Sequence, residues 1–278
     1  MELSTDTLVR TALEEDLGRG DITTEATVPR DVRCRARLVA KQDGVLSGIE
    51  VFHRAFVMLD PDLCGWESLQ DGAAVKPDDT IARFEGRAQA VLMAERTAMN
   101  FVQHLSGVAT LTARFVAAVG ELNCKICCTR KTTPLLRALE KAAVVHGGGT
   151  RHRFNLSDGI LIKENHVTAA GGLHAAITKA RRHSHHLMRV EAEVRNLQEF
   201  DEAVEAGADV ILLDNMGLDT MREAVRRAAG RQIVLEASGN ASLDRVHAIA
   251  ETGVDFISVG ALTHSAAVLD MSLLIENA

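Results

Sequence analysis

From about residue 120 onward the chain repeats a single pattern that leaves it few folds. Short β-branched runs recur at intervals of roughly 20 to 30 residues: KICCTRK, GILIKEN, VEAEV, VILLDN, IVLEASG and FISVGA. Alanine-rich segments with helical spacing, such as LQEFDEAVEAG and SLDRVHAIAETG, lie between them. Strand and helix in alternation form the βα repeat of a parallel barrel, whose chemistry sits at the C-terminal ends of its strands. Only six such runs are legible, two fewer than a full barrel of eight. The expected fold is therefore α/β: an incomplete parallel α/β barrel of six or seven strands, its open side covered by another domain or a neighbouring subunit. The strand ends select candidate residues by position alone: Arg130 and Lys131, Lys163, Glu193, Asp214, Ser238 with Gly239, and Gly260. Cations come first in that order, carboxylates next and small residues last.

The chemistry is densest between Cys128 and His166, where Arg130, Lys131, Arg151, His152, Arg153 and Lys163 share one βα-loop-β unit. The whole chain has a net charge of -7, which argues against nucleic acid and anionic membrane surfaces as partners. Local cations in an acidic protein point instead to a pocket for a multiply charged small anion. A charge pair at about 4 Å in an effective dielectric of about 20 is worth roughly 4 kcal/mol. The distant carboxylates are screened beyond about 8 Å.

The first hundred residues have a different pattern. Leu8, Val9, Ala12, Leu13 and Leu17 predict a helix over residues 3–17, ended by Gly18 and Gly20. DITTEATVP then reads as a polar connection, RARLVAK as a strand and GIEVFHRAFVMLD as a helix. DGAAVKPDD and IARFEG read as strands joined by a turn. Together they predict an N-terminal α+β open-sandwich domain over residues 1–107. A barrel over 108–265 follows, and then a tail over 266–278 whose apolar LDMSLLIENA needs a surface, expected on the first domain. A long helix from about Ala88 to about Val119 is expected to break near Gly107. The N-terminus shows neither the basic nor the apolar part of a signal peptide, and no apolar run nears the roughly 20 residues of a membrane span. The expected setting is cytoplasmic. The five cysteines have no framework spacing, and Cys124, Cys127 and Cys128 read as strand side chains rather than zinc ligands.

Each constellation has a plain alternative. EASGN and SVGALTHS end late strands in small residues, as barrel phosphate sites do, or they are ordinary tight turns. Glu193 and Asp214 can hold sugar hydroxyls or Mg2+, or can simply pair with Lys163 or Arg153. Glu191 shares a strand face with Glu193, so their roles do not separate by sequence. Two arginines, two lysines and a histidine exceed what one phosphate needs and suit a dicarboxylate, although pairing with Glu140, Asp158 and Glu164 is open to them. Lys163, after apolar ILI, is also a candidate Schiff-base lysine. His166 reads as a helix-start hydrogen bond, and the basic run at 181–186 as a solvated helix end.

TRKTTP, GGGTRHR, LIKENH, EAEV, LLDN, EASG and SVGALTHS resemble, in order, the motifs of quinolinate phosphoribosyltransferase, and EEDLGRGDIT and AERTAMNFVQHLSGVAT fit the same family. The resemblance implies a homodimer with shared active sites. It also implies conversion of quinolinate and phosphoribosyl pyrophosphate into nicotinate mononucleotide, pyrophosphate and CO2, with Mg2+, in NAD biosynthesis. Carried over, Arg130, His152, Arg153 and Lys163 hold the quinolinate carboxylates, and Lys131 contacts phosphoribosyl pyrophosphate. Glu193 and Asp214 face its ribose and metal, while Ser238, Gly239 and Gly260 take its 5'-phosphate. Lys163, Glu193 and Asp214 form the catalytic set, Thr129, Ala261 and His264 complete the substrate contacts, and Arg96 reaches into the partner's site. The family usually has glycine after TRKTTP, where this chain has Leu135. The alternatives are a related protein of molybdenum-transport operons, against which Lys163 and HRF speak, and a Schiff-base aldolase.

Overall fold

The computed structural model describes residues 4–277; the expected helix start at residue 3 and the final residue of the tail lie outside them. The chain begins with α1 (Thr5–Leu17), where Ser4 accepts the Thr7 N–H at 3.2 Å and Gly18 ends the helix at a φ of 53°. The segment expected to be a polar connection contains a further helix, α2 (Ile22–Thr27). Asp21 caps it by accepting the Thr24 N–H at 3.0 Å, so a short capped helix forms without an apolar stripe to announce it. Next come β1 (Arg33–Ala40), β2 (Gly44–Val45), α3 (Ile49–Leu59), β3 (Cys64–Ser68), β4 (Ala74–Val75) and β5 (Thr80–Arg87).

Helix α4 (Ala88–Val119) runs through Gly107 without a break, correcting the expected interruption. Gly107 is required for another reason: a Cβ there would lie 2.1 Å from the Ala267 carbonyl oxygen. The remaining elements are β6 (Lys125–Cys127), α5 (Arg137–His146), β7 (Ile160–Ile162), α6 (Glu164–Ala170), α7 (Leu173–His183) and β8 (Val190–Val194). They continue with α8 (Leu197–Glu205), β9 (Val210–Asp214), α9 (Leu218–Ala228), β10 (Val234–Ser238), α10 (Leu243–Ala250), β11 (Phe256–Ser258), α11 (Ala261–His264) and β12 (Met271–Asn277).

The chain forms two compact units. One holds the residues up to Ala113, Thr132–Gly148 and those from Thr263 on; the other holds Arg114–Lys131 and Gly149–Leu262. A linear cut puts 108–265 in one piece, whereas residues 132–148, with α5, pack with the first unit. The first unit carries an antiparallel sheet in the order β12-β1-β5-β3, with β12 pairing along β1 from Cys34 opposite Asn277 to Ala40 opposite Met271. Its core gathers Phe52, Phe56 and Phe84, with ring centroids 4.8 to 6.4 Å apart. These rings are among the largest fully buried side chains in a protein with few aromatics.

The second unit is a six-stranded parallel sheet in the order β6-β11-β10-β9-β8-β7. Consecutive strands from β7 to β11 are neighbours, and β11 returns to pair with β6, so the sheet is a barrel left open between β6 and β7. Apolar runs such as Ile211, Leu212 and Leu213 are buried, as expected of parallel strands covered on both faces.

Candidate active site

Because all six strands run parallel, their C-terminal ends fall on one rim of the barrel. Strand β6 leads into Thr129, Arg130 and Lys131, β7 into Lys163, and β8 carries Glu193 near its end. Asp214 ends β9 in register with Ser238, which ends β10 and precedes Gly239. Gly260 and Ala261 follow β11 at the start of α11. His264 closes α11, exposed, with its Nδ1 2.7 Å from the Ser265 hydroxyl. Arg96 is exposed on α4, within the first unit.

Two guanidinium groups dominate this rim. Arg153 donates from Nη1 to the Gly159 carbonyl at 2.8 Å, but its Nε and the Nε of Arg130 are buried and have no hydrogen-bond partner. Burial, and then the Arg130 guanidinium, hold the pKa of Arg153 below the ordinary arginine value, while Glu191 opposes the shift. Two like charges side by side with buried, unsatisfied donors can receive an anion. The opposite carboxylates do not fill that role for both. Glu193 is engaged by the Lys163 ammonium at 3.1 Å, with Lys163 half exposed. The Thr129 hydroxyl accepts the Lys131 N–H at 3.1 Å, which shapes the turn between those two residues.

Sequence could not separate Glu191 from Glu193, but the structure does. Glu193 stands at the rim with Lys163, while Glu191 lies deeper, its Oε2 3.2 Å from His152 Nε2. Glu236, in the middle of β10, comes within 3.6 Å of the same nitrogen. Sequence reasoning passed over Glu236; the only signal was a carboxylate inside the apolar run IVLEASG. The other ring nitrogen of His152, Nδ1, accepts the Arg153 N–H at 2.7 Å. Both nitrogens are thus engaged by the protein itself. His166 caps a helix, its Nδ1 accepting the Lys163 N–H at 2.9 Å.

Asn215 is a second residue that position alone did not single out. It takes a φ of 54°, donates its N–H to the Ser238 carbonyl at 2.9 Å, and accepts from the Asn240 amide at 3.0 Å. A Cβ on Gly239 would lie 2.2 Å from Asn215 Oδ1, and Gly239 itself has a φ of 86°. The turn after β10 is therefore pinned to β9 and open only to glycine, a shape that lets an anion approach backbone N–H groups. Cys124, Cys127 and Cys128 are buried thiols that form no disulfide. Among the described residues the only group with metal-ligand spacing is His152, Glu191 and Glu236.

The family model for the quinolinate phosphoribosyl transferase C-terminal domain matches residues 108–274, and that for the N-terminal domain matches residues 21–106. The chain is 41% identical over 259 residues to a probable carboxylating nicotinate-nucleotide pyrophosphorylase of Bacillus subtilis, covering 93% of this chain and 89% of that protein. It is 39% identical over 288 residues to decarboxylating quinolinate phosphoribosyltransferase 1b of Nicotiana tabacum, covering 97% and 81%. A crystal structure of NadC from Streptococcus pyogenes matches with a TM-score of 0.94 at 38% identity, covering 100% of this chain and 99% of that one. From its motifs, its two units and these matches along almost its whole length, the chain belongs to the quinolinate phosphoribosyltransferase family.

Proposed function

We propose that the protein transfers the phosphoribosyl group of phosphoribosyl pyrophosphate to quinolinate with loss of CO2, forming nicotinate mononucleotide and pyrophosphate in NAD biosynthesis. The observation that carries this reading is the Arg130 and Arg153 pair, two half-buried guanidinium groups whose Nε donors are buried without a partner. A planar dicarboxylate matches two such forks better than a single phosphate does.

In this reading Arg130, Arg153 and Lys163 grip the two carboxylates, with His152 held beside them, and fix the ring nitrogen toward the ribose. That nitrogen attacks the anomeric carbon as the bond to pyrophosphate breaks and its electron pair leaves with the pyrophosphate. Glu193 and Asp214, at neighbouring strand ends, face the ribose as positive charge develops there. Ser238, Gly239, Gly260 and Ala261 receive the 5'-phosphate on backbone N–H groups, while Thr129 and Lys131 contact the pyrophosphate side. Once the nitrogen is a pyridinium, CO2 departs and its bonding pair stays on the ring carbon until a proton replaces it. Position and exclusion of water serve this chemistry more than a strong base does.

Glu193 and Asp214 offer carboxylate oxygens, the hard donors that Mg2+ takes, so the residues fit the ion. When bound, Mg2+ neutralises charge on the pyrophosphate leaving group. We assign the working form as a homodimer in the cytoplasm, with Arg96 reaching the partner's substrate; among the described residues no helix is long and apolar enough to cross a membrane. The aldolase alternative loses support from Lys163, whose half-exposed ammonium is paired with Glu193 instead of desolvated among apolar groups. The test is to supply purified protein with quinolinate, phosphoribosyl pyrophosphate and Mg2+ and to measure CO2 and nicotinate mononucleotide together. Both should appear in equal amounts; release of neither would end this reading.

A further inference from the structure

Beneath the arginine pair, two buried carboxylates compete for one hydrogen. Because His152 Nδ1 accepts the Arg153 N–H, the ring's proton is on Nε2, and that single N–H faces Glu191 at 3.2 Å and Glu236 at 3.6 Å. The same tautomer argues against a cation in this group, since a protonated Nε2 is a donor and not a ligand. The two carboxylate side chains are only 10% and 7% exposed, and one oxygen of each, Glu191 Oε1 and Glu236 Oε1, has no hydrogen-bond partner. Two buried carboxylates this close to one shared donor raise the cost of ionising both, which favours a proton on one of them.

The neighbours identify which one. Across Glu236, β9 presents Leu212 and β11 presents Phe256 in register, so no cation faces it from either adjoining strand. Ser258 and Cys127 hydrogen-bond to Glu236 and favour its ionised form, but they act less strongly than burial and the Glu191 charge. Glu191 by contrast interacts with the Arg153 guanidinium. Burial and then the Glu191 charge push the Glu236 carboxyl up to about 7, against the pull of His152 and of the hydrogen bonds from Ser258 and Cys127.

We propose that Glu236 is a positioning residue that works as an un-ionised carboxylic acid, holding His152 without cancelling the positive charge of the Arg130 and Arg153 pair. The inference rests on the reading of that pair as the anchor for a dicarboxylate. With Glu236 neutral and Glu191 ionised, the two arginines keep a surplus of one positive charge for the dianion. Ionising Glu236 removes the surplus and adds a negative charge next to His152. Quinolinate binding should therefore weaken as pH rises through neutrality, while phosphoribosyl pyrophosphate, which does not use the Arg130 and Arg153 pair in this reading, is affected less.

The test compares the wild type with Glu236→Gln, which keeps the shape and the acceptor for His152 but cannot ionise. Between pH 6.5 and 8.5 the quinolinate KM of the wild type should rise roughly 3- to 10-fold, about 0.7 to 1.4 kcal/mol. In Glu236→Gln it should stay flat over that range. Infrared spectra of the wild type near pH 6 should show a protonated carboxyl C=O band that the variant lacks. Parallel KM profiles in the two proteins, or no such band, would overturn the proposal. The infrared measurement needs no turnover, so absence of the transferase reaction in the wild type would be recognised as failure of the functional reading and not of this one.

Discussion

At the scale of single residues, the site depends on groups whose ordinary partners are withheld. Arg153 is bound at one nitrogen to Gly159 and left unsatisfied at another, next to a second arginine that raises the cost of its charge. In the proposed function such a residue is stabilised by its ligand more than by the fold. Replacing it should therefore affect binding far more than folding: Arg153→Ala should weaken quinolinate use by roughly 2 to 5 kcal/mol, the cost of truncating one partner of a buried charge pair. Steady-state kinetics would read this as a fall in kcat/KM for quinolinate, with the thermal midpoint nearly unchanged. An unaltered kcat/KM would make Arg153 a structural residue. Ser238 and Gly239 show the complementary case, in which side chains matter less than the backbone they free, since Asn215 occupies the space a Cβ would need.

At the scale of elements, the loop after β6 is held by α5. Thr133 donates its N–H to Glu140 Oε2 at 3.0 Å, Arg137 Nε reaches the Thr132 hydroxyl at 3.0 Å, and fully buried Glu140 is held in turn by His104 at 2.8 Å. Within this anchored loop Leu135 takes a φ of 68° and is 68% exposed. The loop therefore keeps a conformation suited to glycine while carrying leucine, at a cost of roughly 1 to 2 kcal/mol for the left-handed region. Leu135→Gly removes that strain but gives the unfolded chain more freedom, worth about 0.5 to 1 kcal/mol in the other direction. The net expectation is a gain in stability of about 0.5 to 1 kcal/mol in urea unfolding, with no loss of activity. A drop in the urea midpoint would mean that the leucine side chain makes a stabilising contact. Strand β12 has a different place among the elements: it pairs along β1 from Cys34 to Ala40, so β12 supplies one sheet edge of the first unit.

At the scale of the whole molecule, the proposed dimer makes a prediction that no single subunit can meet. Mixing Arg96→Ala subunits with Lys163→Ala subunits should restore activity to about one site per mixed dimer if Arg96 acts on the partner's substrate. No recovery after subunit exchange would place the two residues in one subunit's site. The sequence by itself determined the βα order, the six strands and which residues stand at their ends, because the hydrophobic period and the alternation of elements are local properties. It also carried the family motifs from which the expected roles of Arg130, Lys163, Glu193 and Asp214 were taken. Only the tertiary structure decided that Glu191 and Glu193 serve different depths of the barrel, that Glu236 meets His152, that α4 passes Gly107 unbroken and that β12 closes the edge beside β1. Those are contacts between segments far apart in the chain. Their energies depend on distance and desolvation, quantities that exist only once the strands have paired.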